Sequence, residues 1–334
     1  MAKRIKDTDY LSISTRIRAM EKTLLSTEQM EQILNADEEK KTEQLLQEYG
    51  YSELYAKDPA TMDEVLNGMR ESYLSDLKIG TPNLRFLDIF RLKYDYHNVK
   101  VMLKAEAMDA NPSRMMMESG RISVKNLRSA IEKGELDNLP GFLSDAIREA
   151  KEVLSDTGDP QYGDMILDRW MFRDMQNEAE ITESTFLKKY VKRQIDVANL
   201  RTLVRGLRMG KQADFLQNAW FDGGSIDPQL LHDVAEDGGS RLKELYANTE
   251  LKTAAEAGAA TLQEGSFTAF EKACDDAVSM VLADAQMIPF GEAPLLAFVA
   301  AKEIEFANLR LLLLGRAAGL PSEVIRTFLR KACV

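Results

Sequence analysis

Three short stretches place a carboxylate three residues ahead of an asparagine: Asp95 with Asn98, Asp196 with Asn199, and Glu305 with Asn308. An aliphatic and then a basic residue follow each asparagine, ending at Lys100, Arg201 and Arg310. A carboxylate only accepts hydrogen bonds, whereas a carboxamide gives and accepts them. On one helix such a pair can form a polar site inside a bundle, or a buried clasp that fixes how helices meet. The clasp is the expectation here, because a buried polar group must find partners and a recurring one implies a recurring partner.

Reactive constellations of other kinds are sparse. The two histidines, His97 and His232, have no Glu three residues before them, and HExxH is absent. His97 stands where the other two stretches carry Ala198 and Ala307, so a role for it in catalysis would be private to one copy. Gly206 to Lys211 falls one residue short of a phosphate loop, continues with Gln212, and reads as the end of a helix. Neither GxSxG nor GxGxxG occurs. No catalytic residue, cofactor or metal is therefore expected, and the chain reads as a non-enzyme.

The elements that must carry these residues are helices. At about 100° per residue, each Asn shares a face with the residues four before and four and seven after it. Those residues are Tyr94, Met102 and Ala105 in the first copy, Ile195, Leu203 and Gly206 in the second, and Ile304, Leu312 and Gly315 in the third. The Asn lies within an apolar stripe, the acid lies at its edge, and the basic residue faces the other way. Asp95, Asp196 and Glu305 are expected to be buried and bonded to backbone or to a polar neighbour. Lys100, Arg201 and Arg310 are the candidates for contact with a partner.

A second box recurs between the first: Leu25-Ser26, Ile122-Ser123 and Ile226-Asp227, each followed by an apolar residue four positions after the polar one. Ser or Asp at that place is a good N-cap, and Pro228 suits the first helical position. Leu320 to Ile325 reads as a shortened fourth version. Asn98, Asn199 and Asn308 are almost evenly spaced, and the two boxes keep their order throughout. The expectation is an all-α chain of three homologous helical units, residues 1–112, 113–221 and 222–334.

Composition agrees. The chain is 45% apolar and 29% charged, with nine prolines in 334 residues, which suits long helices around a core. A formal net charge of −11 opposes nucleic acid and anionic lipid as primary partners. Cys274 and Cys333 form no CxxC pair, so neither a disulfide framework nor a cysteine zinc site is expected. The opening residues are charged and unlike a signal peptide, and no apolar run approaches the ~18–20 residues of a membrane span.

The three Asn boxes, together with Tyr10 to Leu25 and the Pro289-Phe290 segment leading to Lys302-Glu303-x-Glu305, resemble the C subunit of V/A-type ATPases, the counterpart of the eukaryotic d subunit. The resemblance covers essentially the whole chain. It implies a three-part helical funnel with pseudo-threefold symmetry on the central stalk, at the cytoplasmic side of the membrane. One end would meet the membrane rotor ring and the other the shaft made by the D and F subunits, and the chain would pass torque without an active site of its own. Departures are His97 in the first box and Leu314 where the other copies have Lys104 and Arg205. The competing readings are a helical scaffold outside any ATPase and a helical-bundle enzyme with an unrecognised site.

Overall fold

A computed structural model describes residues 6–55, 58–108 and 110–330. Cys333 and the charged opening residues 1–5 lie outside them. Every regular element among the described residues is helical. The first third of the chain forms α1 (Leu11–Glu21), α2 (Thr27–Leu34), α3 (Glu39–Glu48), α4 (Pro59–Lys78) and α5 (Arg85–Met108). The middle third forms α6 (Val124–Lys133), α7 (Gly141–Thr157), α8 (Pro160–Ile181), α9 (Thr185–Arg208) and α10 (Ala213–Gln217). The last forms α11 (Pro228–Glu236), α12 (Leu242–Leu245), α13 (Lys252–Leu262), α14 (Phe267–Gln286), α15 (Glu292–Ala317) and α16 (Ser322–Phe328).

Local chemistry sets these limits. The second box starts α2, α6 and α11, where Ser26, Ser123 and Asp227 accept the amide N–H groups of Gln29, Asn126 and Gln229. Ser26 and Gln29 complete a reciprocal capping box. Asp58 and Asp159 cap α4 and α8, each with proline at the first helical position. α9 ends at Arg208, and Gly210 then turns the chain with φ +71°, so Gly206 to Lys211 is a helix terminus. The segment read as a fourth box behaves differently. Leu320 to Ile325 begins α16, which follows Asn308 at the same interval as α10 follows Asn199. No side chain caps the start of α16, whereas Ser26, Ser123 and Asp227 cap the helices of the other three boxes.

The chain divides into two compact units, Met1–Leu84 with Asn248–Val334, and Arg85–Ala247. In the first, α14 packs on α13 and α15, and α1 lies along α15. Its core is built from Ile13, Ile17, Ile33, Leu46, Phe270, Leu296, Leu309 and Leu312, with Cys274 buried as a free thiol. In the second, α8 packs on α5, α7 and α9, around Leu92, Val99, Leu143, Ile147, Leu200 and Leu203. Burying each such side chain contributes roughly 1.5–3 kcal/mol, which holds the long polar-bearing helices in place. No helix of the described residues is long and apolar enough to cross a membrane.

Candidate functional site

The three Asn boxes fall on α5, α9 and α15, the longest helices among the described residues. All six polar residues, Asp95, Asn98, Asp196, Asn199, Glu305 and Asn308, are at most 5% exposed. The acid and the amide of a box are not bonded to each other. One helical turn apart, they grip different backbone sites, on one returning segment in the first two boxes and on two separate segments in the third.

The asparagine makes the first grip. Asn98 donates from Nδ2 to the Met117 carbonyl at 2.7 Å and accepts the Met117 N–H on Oδ1 at 2.8 Å. Asn199 makes the same two bonds to Phe221, both 2.8 Å, and Asn308 makes them to Arg330, both 2.9 Å. A carboxamide copies a peptide group, so it can satisfy both backbone groups of one residue as a neighbouring strand would. Asp in its place has no donor, and Leu has neither group. Between the long helix and the gripped residue a short helix folds back. Gly206 and Gly315, seven positions after the asparagines, admit Leu216 of α10 and Ile325 of α16 where a Cβ would collide.

The acid makes the second grip, at the entrance of the next box. Asp95 accepts the Ile122 N–H at 3.2 Å and Arg121 Nε at 2.8 Å. Asp196 accepts the N–H of Ser225, just ahead of Ile226. Glu305 accepts the N–H of Leu25, the first copy's box, 280 residues away along the chain. The acid of the third Asn box thus holds the first capped box, as those of the first two Asn boxes hold the second and third capped boxes. The side-chain lengths fit. Asp95 and Asp196 lie against Gly120 and Gly224, where a Cβ would strike the carboxylate. Glu305, one methylene longer, reaches Leu25 without a glycine there.

The first and third junctions each have their own electrostatic support. At the first, Arg121 bridges Asp95 and Asp174, with Nη2 2.6 Å from Asp174 Oδ2, and Tyr96 donates to the same carboxylate at 3.3 Å. Burial pushes the Asp95 carboxyl above its usual range, against the pull of Arg121 and the Ile122 N–H. At the third, Glu305 also accepts from Tyr51 and lies 2.5 Å from Lys302 Nζ. Burial, then the Glu305 charge, drives the Tyr51 hydroxyl upward, so it stays protonated and keeps donating. Phe306 beside it carries Arg70 and Lys302 at 5.5 and 5.4 Å from its ring centre. Arg70 in turn meets Glu303 at 2.8 Å, and Tyr73 donates to that carboxylate.

Of the basic residues singled out in the sequence, Lys100 lies 2.6 Å from Asp168, and Arg310 grips Asp63 through two N–H groups. Arg201 is engaged as well. Contact with a partner through Lys100 or Arg310 would share a charge already balanced within the chain. His97 is exposed with Nε2 3.0 Å from the Met115 carbonyl. Among the described residues, one group has metal-ligand spacing: His232, Asp233 and Glu236 on α11, with Asp214 3.4 Å from the His232 ring. The carboxylates of the first and third junctions accept backbone and side-chain donors together, and Asp196 accepts the Ser225 N–H, which suits them to hold shape.

An Asn199→Leu variant tests the grip. It leaves the Phe221 N–H and carbonyl buried without partners, at ~1–3 kcal/mol for each group. Equilibrium unfolding is expected to show a loss in that range or above, with Asn199→Asp also destabilising because its carboxylate faces the Phe221 carbonyl. Wild-type stability in Asn199→Leu would remove the clasp from the account.

Residues 13–328 match the family described as ATP synthase (C/AC39) subunit. The chain belongs to that family. This C/AC39 chain is 26% identical over 324 residues to the C subunit of the V-type sodium ATPase of Enterococcus hirae, covering 97% of its own length and 98% of the relative's. It is 24% identical over 349 residues to the C subunit of the A-type ATP synthase of Methanocaldococcus jannaschii, at 96% and 86% coverage. With the corresponding A-type ATP synthase C subunit of Thermococcus kodakarensis it shares 26% over 338 residues, at 97% and 91%. The match takes in all three Asn boxes and all three capped boxes, so the clasps of this C/AC39 chain begin on helices inside the family region.

Proposed function

We propose that this chain is the non-catalytic central-stalk rotor subunit of a V/A-type rotary ATPase, working at the cytoplasmic side of the membrane. It links the shaft made by the D and F subunits to the membrane rotor ring and transmits torque between ATP chemistry and ion movement. The relatives are named as the C subunit of V-type and A-type machines and match nearly end to end, which supports membership of such a complex.

The observation that carries the mechanical reading is the cyclic grip. The same carboxamide and carboxylate hold three successive joints, and the third returns to Leu25. In this proposal three helical parts close about a pseudo-threefold axis as a funnel that seats a helical shaft at one end and rests on the ring at the other. A torque-bearing adaptor needs stiff joints and broad contacts more than a reactive group. Two bonds to one backbone residue resist both sliding and twisting. Lys100, Arg201 and Arg310 enter the proposal as partner contacts, Lys100 and Arg310 sharing their charge with Asp168 and Asp63.

Reconstitution tests it. Membranes stripped of this subunit are expected to keep ATP hydrolysis by the head and lose ion pumping, and adding the purified chain restores pumping. Full pumping without the chain would refute the coupling role. Normal pumping with Lys100, Arg201 and Arg310 all changed to Glu would remove only those residue assignments.

A further inference from the structure

The capped boxes align the three repeats residue by residue, and the outward faces of their helices differ in charge. Two positions after the caps stand Glu28, Lys125 and Gln229, and five after them stand Glu31, Arg128 and His232. The first copy is acidic where the second is basic. In the first copy this face opens into a groove of about 900 Å³ between α2 and α3. Its exposed walls carry Glu28, Asp37 and Glu48 against one cation, Lys41, and its floor is the buried Ala36 and Leu45. Glu31, also in the lining, already has Arg326 at 2.8 Å.

The groove is preformed. Tyr49 of the α3 end donates to Gln32 of α2 and ties the two walls together. The capping box fixes the start of α2, and the Arg326–Glu31 pair fixes its outer side. A preformed groove spends little ordering entropy on binding. Helices of 8 and 10 residues give walls of ~12–15 Å, the length of two to three turns of a third helix. An acidic rim over a small apolar floor, flanked by helices and not by a sheet edge, suits a helix with lysines or arginines beside a narrow apolar stripe.

The geometry points to the α2–α3 groove as a docking site for a basic amphipathic helix of a protein partner, with the charge contrast between Glu28 and Lys125 confining that helix to the first of the three equivalent faces. The site does not depend on the rotor reading, and it would let a partner recognise one orientation of an internally repeated protein.

The test uses the full chain and two labelled model helices, one of Leu and Lys and one of Leu and Glu, followed by fluorescence anisotropy. The cationic helix is expected to bind at low salt, to weaken as salt rises, and to lose about tenfold or more in affinity with Glu28→Lys and Glu48→Lys together. Glu28→Gln with Glu48→Gln should give a smaller loss, and circular dichroism checks that both variants keep the fold. Lys125→Glu with Arg128→Glu should not weaken binding. Equal binding of the anionic helix, or unchanged binding of the cationic helix to the Lys variants, would overturn the proposal and assign the attraction to diffuse net charge. A wild-type dimer in sedimentation that both sets of charge reversals abolish would also overturn it, because the occupant would then be the basic α6 face of a second copy.

Discussion

Replacing Arg121 by methionine is expected to destabilise the unit Arg85–Ala247 by ~3–5 kcal/mol, the cost of stranding buried carboxylates by removing their counter-ion. Arg121 is the shared partner of Asp95 and Asp174, whose side chains are 0% and 4% exposed. Methionine fills much of the volume and supplies no charge. The loss is expected to depend on pH with a definite sign. Burial already holds the folded Asp95 carboxyl above its unfolded value, and losing Arg121 raises it further. A carboxyl raised in the folded state adds stability below its unfolded value, near ~3.9, and that stability is lost as pH rises through the folded value. The deficit of Arg121→Met should therefore be larger at pH 8 than at pH 5 in denaturant titrations. Adding Asp174→Asn should recover part of it. A deficit of equal size at both pH values would mean that Arg121 contributes packing and not charge.

The residues that do the gripping were open to sequence reasoning, because three Asn boxes in one order and one helical phase are a repeated pattern in side chains. What they grip was not. Met117, Phe221 and Arg330 contribute only their N–H and carbonyl groups, so their side chains are free to differ and leave no common signature. The acid and the amide, read from sequence as one clasp, turn out to hold different places for a physical reason. Each has a stronger demand nearby, a backbone segment that has left its helix and must be paired. Linear order hid the grouping of the first and last thirds as well. Arg316 donates to the carbonyls of Leu34 and Ala36, Arg326 pairs with Glu31, and Arg310 pairs with Asp63. Each of these contacts joins the opening helices to the closing ones, and nothing in a local window announces them. Gly120 and Gly224 were the one overlooked clue, since a glycine beside a segment that must approach a buried carboxylate marks the close pass.

The joint between Glu305 and Leu25 is where the second large effect is expected. Glu305→Ala removes the acceptor for the Leu25 N–H and the Tyr51 hydroxyl and leaves the Lys302 ammonium, 14% exposed, without its carboxylate. Stranding that charge and two donors is expected to cost ~3–5 kcal/mol. The matched change Asp196→Ala should cost less, because the chain itself holds that joint. Asp196 meets a residue 29 positions away, Glu305 one 280 positions away. On chain length alone, closing the longer loop costs ~2 kcal/mol more, since the entropy grows with the logarithm of the separation. Side-chain contacts supply what a covalent link supplies elsewhere. The consequence is local and measurable by amide hydrogen exchange. In Glu305→Ala, α2 and the Leu25 amide should exchange far faster than in the wild type, while the Ile122 and Ser225 amides keep their protection. Glu305→Gln retains an oxygen acceptor for Leu25 but not the charge opposite Lys302, so it should fall between the two. Equal exchange at all three joints in Glu305→Ala would show that α2 is held by its apolar face alone and that the carboxylate is not what closes the repeat.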